Sequence, residues 1–245
     1  MARQARKKSS SGFYHVILRG IGKQVLFEED EDYLRFLGTL KRYVHEQEVQ
    51  LHAYCLMENH VHLLVRDEQE ALDSFMKKVE GSYAFYFNHK YERIGALFQD
   101  RYKSEPIEDD AYFAATLRYI LQNPQKAGIG AVDTYPWNSC REHFSEPEII
   151  RNDFALAFFG GKEKMLQYIR ENNEDSFLEP SSAPVGDSRA RAILRECLQV
   201  DNGMALQAWE RTERDRALRT LKENGLSIRQ IERLTGISRG IVQKA

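Results

Sequence analysis

Residues 50–66 of this 245-residue chain read QLHAYCLMENHVHLLVR, and this stretch decides the fold. It contains two short apolar runs, residues 50–57 and residues 60–66, which the polar pair Glu58-Asn59 separates. Two apolar runs joined by a two-residue polar turn are typical of a β-hairpin. The stretch therefore predicts two adjacent antiparallel strands with a tight connection.

The segments on both sides of this hairpin alternate in type. Residues 12–19 are rich in aromatic and β-branched residues, which predicts a strand, and residues 30–46 have the apolar spacing of an amphipathic helix. Beyond the hairpin, the pattern predicts a helix over residues 70–90, a strand over residues 96–107 and a second helix over residues 109–122. Asn123-Pro124 is expected to end the last helix. This order predicts a ferredoxin-like α+β fold, with helices on one face of an antiparallel sheet and the other face open for a site.

The composition narrows the classes of function. Hydrophobic residues make up 42% of the chain, enough for a buried core, and the formal net charge of -2 means that nucleic-acid binding must come from local basic patches. The three cysteines are widely spaced, so we interpret them as reduced thiols of a cytoplasmic protein and not as a zinc site. No apolar run approaches the roughly 20 residues of a membrane helix, so no membrane partner is expected.

Residues 1–10 form a basic tail with no apolar segment behind it, which is not the pattern of a secretory signal. Two interpretations stay open: a solvated, disordered end, or an electrostatic arm that binds DNA phosphates. In the second interpretation, the DNA-binding residues of the tail are Arg3, Arg6, Lys7 and Lys8.

Two histidines in the second run of the hairpin, His60 and His62, are candidate metal ligands. Because alternate residues of a strand point to the same face, both imidazoles emerge together while Val61 packs on the opposite side. Two imidazoles on one sheet face are half of a site for a divalent cation. Two unrelated histidines with local hydrogen bonds would give the same pattern.

The predicted helix over residues 109–122 supplies the other candidates. Tyr119 and Asn123 are four residues apart and share one helix face. If that face covers the open side of the sheet, Asn123 completes the metal site, and the phenol beside it can attack a phosphate to form a phosphotyrosine. Arg118 or Lys103 could assist the phenol. Taken alone, Tyr119 is more typical of a half-buried helix aromatic, but the combination favours catalysis.

Three runs match a known family in order and spacing, namely residues 54–64, 98–103 and 118–124. They resemble the single-tyrosine HUH transposases, and within these the REP-associated tyrosine transposases. The stretches around His15 and Trp137 are also similar to that group. The resemblance covers roughly residues 11–145, and Glu58 stands where proline is common in the relatives.

The resemblance implies a ferredoxin-like catalytic core, a Mg²⁺ or Mn²⁺ cofactor and a single-stranded DNA substrate with a REP-like hairpin. It assigns the metal ligands to His60, His62 and Asn123 and the nucleophile to Tyr119. Cleavage would leave a 5′-phosphotyrosine and a free 3′-hydroxyl. The REP-associated group is expected to be monomeric, and we expect the same of this chain.

Basic residues around these motifs are candidates for DNA contacts. Aromatic and basic residues are interleaved in residues 98–103, which is typical of single-strand binding and equally of the two faces of an amphipathic strand. The DNA-binding candidates of the core are Arg19, Arg101, Lys103 and Arg118.

The pattern changes after residue 145. We predict a tail over residues 1–10 and a catalytic domain over residues 11–145. A connecting segment over residues 146–186 ends in a linker at 179–186, and a helical DNA-binding domain follows over residues 187–245. In the last domain, residues 235–238 are typical of the turn of a helix-turn-helix, which would place Arg239 and Lys244 on the duplex stem of a hairpin. An ordinary helical hairpin would show the same spacing.

Three functions stay open from the sequence. The favoured one is a metal-dependent nuclease and transposase, since His60, His62, Tyr119 and Asn123 are all present. The second is a non-catalytic DNA-binding regulator that acts through the helix-turn-helix, and the third is a metal-dependent hydrolase that uses water. Metal binding is expected to weaken as His60 and His62 protonate near or below pH ~6.5.

Overall fold

The structure is a computed structural model that describes residues 6–173, 187–200, 202–224, 226 and 228–244. The chain divides into two compact units, Met1–Glu179 and Pro180–Ala245. The predicted DNA contact Arg3 and the predicted linker at 179–186 lie outside the described residues.

Four antiparallel strands form the sheet of the first unit: β1 (Phe13–Arg19), β2 (Gln50–Met57), β3 (His60–Arg66) and β4 (Lys103–Ile107). Their order across the sheet is β2-β3-β1-β4, which is the ferredoxin-like arrangement predicted from the order of elements. β2 and β3 are the predicted hairpin. β4 begins later than the predicted residue 96, because the backbone of Leu97 and Gln99 bonds to residues 19–21 at the end of β1 instead.

Helices α1 (Asp30–Gln47) and α2 (Leu72–Lys90) pack on one face of the sheet, which we call the first face. α1 begins with a capping box between Glu29 and Asp32 and ends where Glu48 takes a left-handed backbone, with φ of 55°. The cluster buried on this face is apolar or aromatic and includes Val16, Leu18, Val61, Leu63, Phe36, Phe75 and Tyr83.

The opposite face of the sheet, which we call the second face, is covered by α3 (Asp110–Lys126). The expectation that this face is open is therefore wrong: Phe113 and Leu117 of α3 bury against strand residues of the second face. The side chain of Asp109 caps the helix by accepting a hydrogen bond from the backbone of Tyr112 at 2.7 Å. Two further helices extend this layer, α4 (Asp153–Phe159) and α5 (Lys162–Arg170).

The predicted end of α3 at Asn123-Pro124 is also wrong, because the helix continues through Pro124 to Lys126. Proline lacks the N–H that would bond one turn back, so the helix loses one internal hydrogen bond there. The last turn closes beyond it, since Ala127 N donates to Asn123 O at 3.0 Å and Ile129 N donates to Pro124 O at 2.8 Å. Lys126 consequently lies on the helix face that carries Asn123.

The second unit is helical in its described part. Its elements are α6 (Asp187–Leu198), a 3-10 helix (Gly203–Ala208), α7 (Arg211–Glu223), α8 (Ile228–Thr235) and α9 (Arg239–Lys244). α8 and α9 are joined at the predicted turn, where Gly236 has φ of 67° and a side chain would meet those of the 3-10 helix. Arg239 pairs with Glu232, and DNA binding by Arg239 and Lys244 stays a prediction. No described helix has the length and apolar character needed to cross a bilayer.

Candidate active site

The second face of the sheet carries the predicted metal ligands. His60 lies opposite Arg19 of β1 in the strand register, and His62 follows two residues later on the same strand. Leu64, the next residue in this alternation, belongs to the cluster that α3 buries, whereas Val61 belongs to the cluster of the first face. His60 and His62 therefore share the face that α3 covers.

His62 is fully buried and meets a second imidazole, that of His15 on β1. Nε2 of His15 and Nδ1 of His62 are 2.9 Å apart, which is a hydrogen-bond distance. Within the described part of the chain, Nε2 of His62 is buried and has no hydrogen-bond partner. That nitrogen is the atom of His62 that could bind a cation.

His60 lies at the edge of the same cluster, with its ring centroid 4.9 Å from that of His62. Its Nδ1 is 2.7 Å from Oδ1 of Asn59. A carboxamide oxygen only accepts, so Nδ1 of the neutral ring donates and Nε2 carries the lone pair. The side chain of Asn123 also hydrogen-bonds to His60, which places the predicted third ligand beside the first.

Tyr119 reaches this cluster from α3. Its ring centroid lies 5.6 Å from that of His62 and 6.0 Å from that of His15. Only 2% of Tyr119 is exposed, so its phenol is enclosed between the sheet and α3. Nζ of Lys126 lies 4.9 Å from the centroid of the Tyr119 ring. The fold thus brings together the four predicted residues and one cation that the sequence pattern does not predict.

Burial sets the protonation of the three histidines. Desolvation lowers the pKa of His60 to about 4 and the pKa of His15 to about 3. Desolvation, together with the two neighbouring imidazoles, holds the pKa of His62 well below 6.5. All three rings are neutral at pH 7, which is the form in which imidazole binds a metal. We therefore expect that protonation would weaken metal binding only at a pH below the ~6.5 of a free imidazole.

The donor set fits a divalent cation only if an amide takes part. Across the described residues, no group of three or more His, Cys, Asp or Glu side chains is placed to hold a metal ion. A metal site here would consist of His60, His62 and the amide of Asn123, with water or substrate oxygens as the remaining ligands. The buried, unpartnered Nε2 of His62 is the observation that favours this set.

The basic tail lies along the edge of the first unit and is engaged by acidic residues. Arg6 pairs with Asp73, and its Cζ lies 3.7 Å from the centroid of the Tyr102 ring. Lys8 pairs with Glu70 at 2.6 Å. A DNA strand would have to compete with these carboxylates, and DNA binding by Arg6, Lys7 and Lys8 stays a prediction. A cleft of about 1200 Å³ runs beside the tail and is also bordered by Lys7, Arg101 and Lys103.

Arg118 lies on a different side of α3 from Tyr119. It is 9% exposed, its Cζ lies 4.1 Å from the centroid of the Tyr168 ring, and it pairs with Glu171 at 3.5 Å. One turn later, Gln122 donates to the carbonyl oxygen of Glu171 at 2.9 Å. To reach a DNA strand, Arg118 would have to break its contacts to Tyr168 and Glu171, and its role as a DNA contact stays a prediction.

Two members of the cluster were given no role by the sequence pattern, His15 and Lys126. His15 lies in an apolar strand, and only the register of β1 against β3 brings it to His62. Lys126 follows Tyr119 by seven residues, which is two helical turns. The same helical spacing that selects Asn123 would have selected Lys126, had Pro124 not been taken as the end of the helix.

A family model and solved structures show similarity to this chain. The model of the family described as IS200-like transposases matches residues 8–123. A solved REP-associated tyrosine transposase bound to a REP hairpin is similar with a TM-score of 0.55 and 12% identity, over 73% of this chain and 96% of that one. A candidate transposase from Deinococcus radiodurans R1 has a TM-score of 0.34 and 20% identity, over 53% of this chain and 99% of that one. Among curated proteins, no match is found. The family match confirms the resemblance to these transposases over residues 8–123, and the first structure shows the same fold.

Proposed function

We propose that this chain, whose residues 8–123 match the model of the IS200-like transposases, is a metal-dependent endonuclease of single-stranded DNA that cleaves and rejoins strands beside hairpins. The observation that carries the proposal is the meeting of His60, His62 and Asn123 with Tyr119 on the second face of the sheet. These four side chains come from one strand and one helix, so the packing of α3 on β3 assembles the site.

The reaction is a transesterification at phosphorus with Tyr119 as nucleophile. The phenol oxygen forms a bond to phosphorus while the bond from phosphorus to the 3′ oxygen breaks. The phenol loses its proton, and the departing 3′ oxygen gains one to become a hydroxyl group. One phosphodiester is exchanged for another, so a 3′-hydroxyl can attack the phosphotyrosine and rejoin a strand without a nucleotide cofactor.

Three side chains would hold a Mg²⁺ or Mn²⁺ ion, namely His60 and His62 through Nε2 and Asn123 through its amide. When bound, the ion neutralises charge on the non-bridging oxygens of the scissile phosphate. The neutral state of both imidazoles at pH 7 supports this assignment. Lys126, beside the ring of Tyr119, stabilises negative charge that develops on the phenol oxygen.

Substrate binding must expose the buried side chain of Tyr119. Because Tyr119 is 2% exposed, a phosphate reaches the phenol only after the side chain or α3 shifts. The exposed residues Arg101 and Lys103, with Arg19 at the end of β1, are the proposed contacts of the single strand on this side of the unit. The hairpin partner is proposed because the similar solved structure is bound to a REP hairpin.

A covalent-adduct assay tests the proposal. The full chain is mixed with Mn²⁺ or Mg²⁺ and an oligonucleotide that carries a hairpin with single-stranded flanks, labelled at the 3′ end in one sample and at the 5′ end in another. We expect a slow-migrating species on a denaturing gel with the 3′ label only, because a 5′-phosphotyrosine retains the fragment on that side. The adduct should need metal and should disappear in Tyr119→Phe and His60→Ala. Tyr112→Phe, which removes a phenol from the same helix, is the matched control and should react normally.

Two other outcomes would support the functions left open by the sequence. Hairpin binding without any adduct, across several hairpins drawn from the DNA that flanks the gene, would favour a non-catalytic regulator. Metal-dependent cleavage that persists in Tyr119→Phe would favour a hydrolase that uses water, because a hydrolase forms no bond between the phenol and DNA. Either result overturns the nucleophile assignment.

A further inference from the structure

The hydrogen bond between His15 and His62 joins a residue without an assigned role to a proposed metal ligand. We propose that His15 is a positioning residue that holds His62 in the tautomer and orientation required for metal binding through Nε2. The inference rests on the proposed function, since it concerns how that metal site is prepared. His15 touches neither metal nor substrate in this assignment and acts only through His62.

The geometry of the pair is that of a hydrogen bond between two rings. The nitrogens are 2.9 Å apart, the ring centroids are 5.2 Å apart, and the ring planes differ by 24°. At this distance and angle the two imidazole rings meet edge to edge. The N–H of one ring then points close to the plane of the second ring, where the nitrogen lone pair lies. Both side chains are fully buried, so no bulk water competes for this contact.

A neutral imidazole has one N–H and one lone pair, so the pair has two possible arrangements. In the first, Nδ1 of His62 donates to Nε2 of His15, and Nε2 of His62 carries a lone pair. In the second, His15 donates, and Nε2 of His62 carries a proton that points into the protein. The two arrangements differ at Nε2 of His62, which is buried without a hydrogen-bond partner among the described residues: the first leaves a lone pair there and the second leaves a proton.

The first arrangement is the one that a metal site needs. A metal-bound histidine commonly donates its other ring N–H to a fixed acceptor, which sets the tautomer and holds the ring in place. Asn59 provides such an acceptor for His60, at 2.7 Å from its Nδ1. His15 provides it for His62, and it does so with an uncharged group, so the pair adds no unpaired charge to a dry interior.

Three substitutions at His15 separate this role from packing. Glutamine can place its terminal oxygen near the position of Nε2 and keep the acceptor. Asparagine is too short to do so, and phenylalanine keeps a ring but removes the acceptor. His52→Phe is the matched control, because His52 is also buried, lies on the same side of the sheet and contacts phenylalanine rings instead of the proposed site.

The readout is the affinity of the full chain for Mn²⁺ alone, measured by the paramagnetic resonance of the free ion. We expect His15→Phe and His15→Asn to weaken binding by about 10-fold to 100-fold, as loss of such supporting contacts does elsewhere. His15→Gln should retain affinity within about 3-fold of the natural protein, and His52→Phe should match it. Adduct formation should fall in the same order and recover at raised Mn²⁺.

A second measurement needs no variant. Long-range ¹⁵N NMR of the metal-free natural protein, with the peaks of His62 assigned, reports which ring nitrogen carries the proton. A proton on Nδ1 supports the inference, and a proton on Nε2 overturns it. Unchanged Mn²⁺ affinity in His15→Phe also overturns it, while leaving the proposed function intact. If the natural protein binds no Mn²⁺ and forms no adduct, the proposed function fails first and the inference fails with it.

Discussion

The two faces of the sheet bury side chains of different kinds, although the same strands supply both. On the first face, α1 and α2 enclose aliphatic and aromatic residues, and the buried carboxylate of Asp32 at its rim is bonded by Lys90, Tyr86 and Tyr91. On the second face, five histidines are buried: His15, His52, His60, His62 and His143. In the described structure, ring nitrogens of His52, His62 and His143 have no hydrogen-bond partner.

This difference separates stability from function. A buried polar group without a partner costs free energy, typically about 1–3 kcal/mol, so the second face is less stable than its packing alone would make it. On the first face, the comparable group among the described strand residues is the hydroxyl of Ser104, and this face carries the larger of the two hydrophobic clusters of the unit. The proposed metal site, which needs neutral imidazoles in a dry environment, lies on the face that carries most of these unpartnered groups.

The largest expected effect tests the first face. Phe75→Ala removes a fully buried ring of α2, and we expect the free energy of unfolding to fall by about 3–5 kcal/mol. Phe85→Ala, on the same helix but 78% exposed, should change it by less than about 0.5 kcal/mol. Urea denaturation followed by circular dichroism measures both. Equal losses in the two variants would show that the first face is not the main source of stability.

The next effect concerns pH and the second face. Burial lowers the pKa of His52 to about 4 and that of His143 to about 3. Because the folded pKa lies below the unfolded value of about 6.5, the unfolded chain binds more protons in acid, and stability declines as the pH falls from about 6.5 toward 4. Between pH 7 and pH 5, each histidine should contribute a loss of about 2 kcal/mol.

Substitution of His52 and His143 separates their contribution to the pH dependence of stability from that of the histidines in the proposed site. His52→Phe and His143→Phe should each reduce the loss of stability between pH 7 and pH 5 by about 2 kcal/mol, measured by urea denaturation at the two pH values. His45→Phe, at an exposed position of α1, is the control and should leave the pH dependence unchanged. If neither buried variant flattens the pH dependence, the two rings are not held neutral by burial.

A smaller effect distinguishes two roles of Arg118, the predicted contact with DNA and the observed contacts with Tyr168 and Glu171. Arg118→Gln removes the cation–π contact with Tyr168 and the ion pair with the half-exposed Glu171, so we expect a loss of about 1 kcal/mol in the free energy of unfolding. In Arg118→Gln, the salt dependence of single-strand binding should not change. In Lys103→Gln, the slope of log affinity against log salt concentration should be smaller in magnitude by about 1. A reduced slope in Arg118→Gln would restore it as a DNA contact.

The smallest effect concerns the cation beside the proposed nucleophile. Lys126→Gln removes a positive charge 4.9 Å from the ring centroid of Tyr119, and the rate of adduct formation should fall about 3-fold to 10-fold. Stability should be unchanged because Lys126 is exposed. Lys77→Gln, an exposed lysine on α2, is the control for charge alone. An equal rate loss in both variants would assign the effect to net charge and not to this contact.

Much of the fold follows from short-range pattern. The alternation within residues 50–66 predicts the hairpin and the common face of His60 and His62, and the register confirms both. The i, i+4 relation of Tyr119 and Asn123 likewise predicts a shared helix face. The same pattern placed the end of α3 too early, at Pro124. A proline in the last turn of a helix removes only one hydrogen bond, and the backbone hydrogen bonds of the residues after Pro124 close that turn.

The sequence by itself determined the elements, their periods and the side chains able to carry the chemistry, because these depend on residues two to four positions apart. Only the tertiary structure decided that α3 covers the second face, that His15 meets His62, and that Arg118 turns to α5. Those contacts join residues about fifty positions apart, and their pairing is set by strand register and helix docking. No local pattern encodes such a pairing, since it depends on which surfaces fit together once the whole unit has folded.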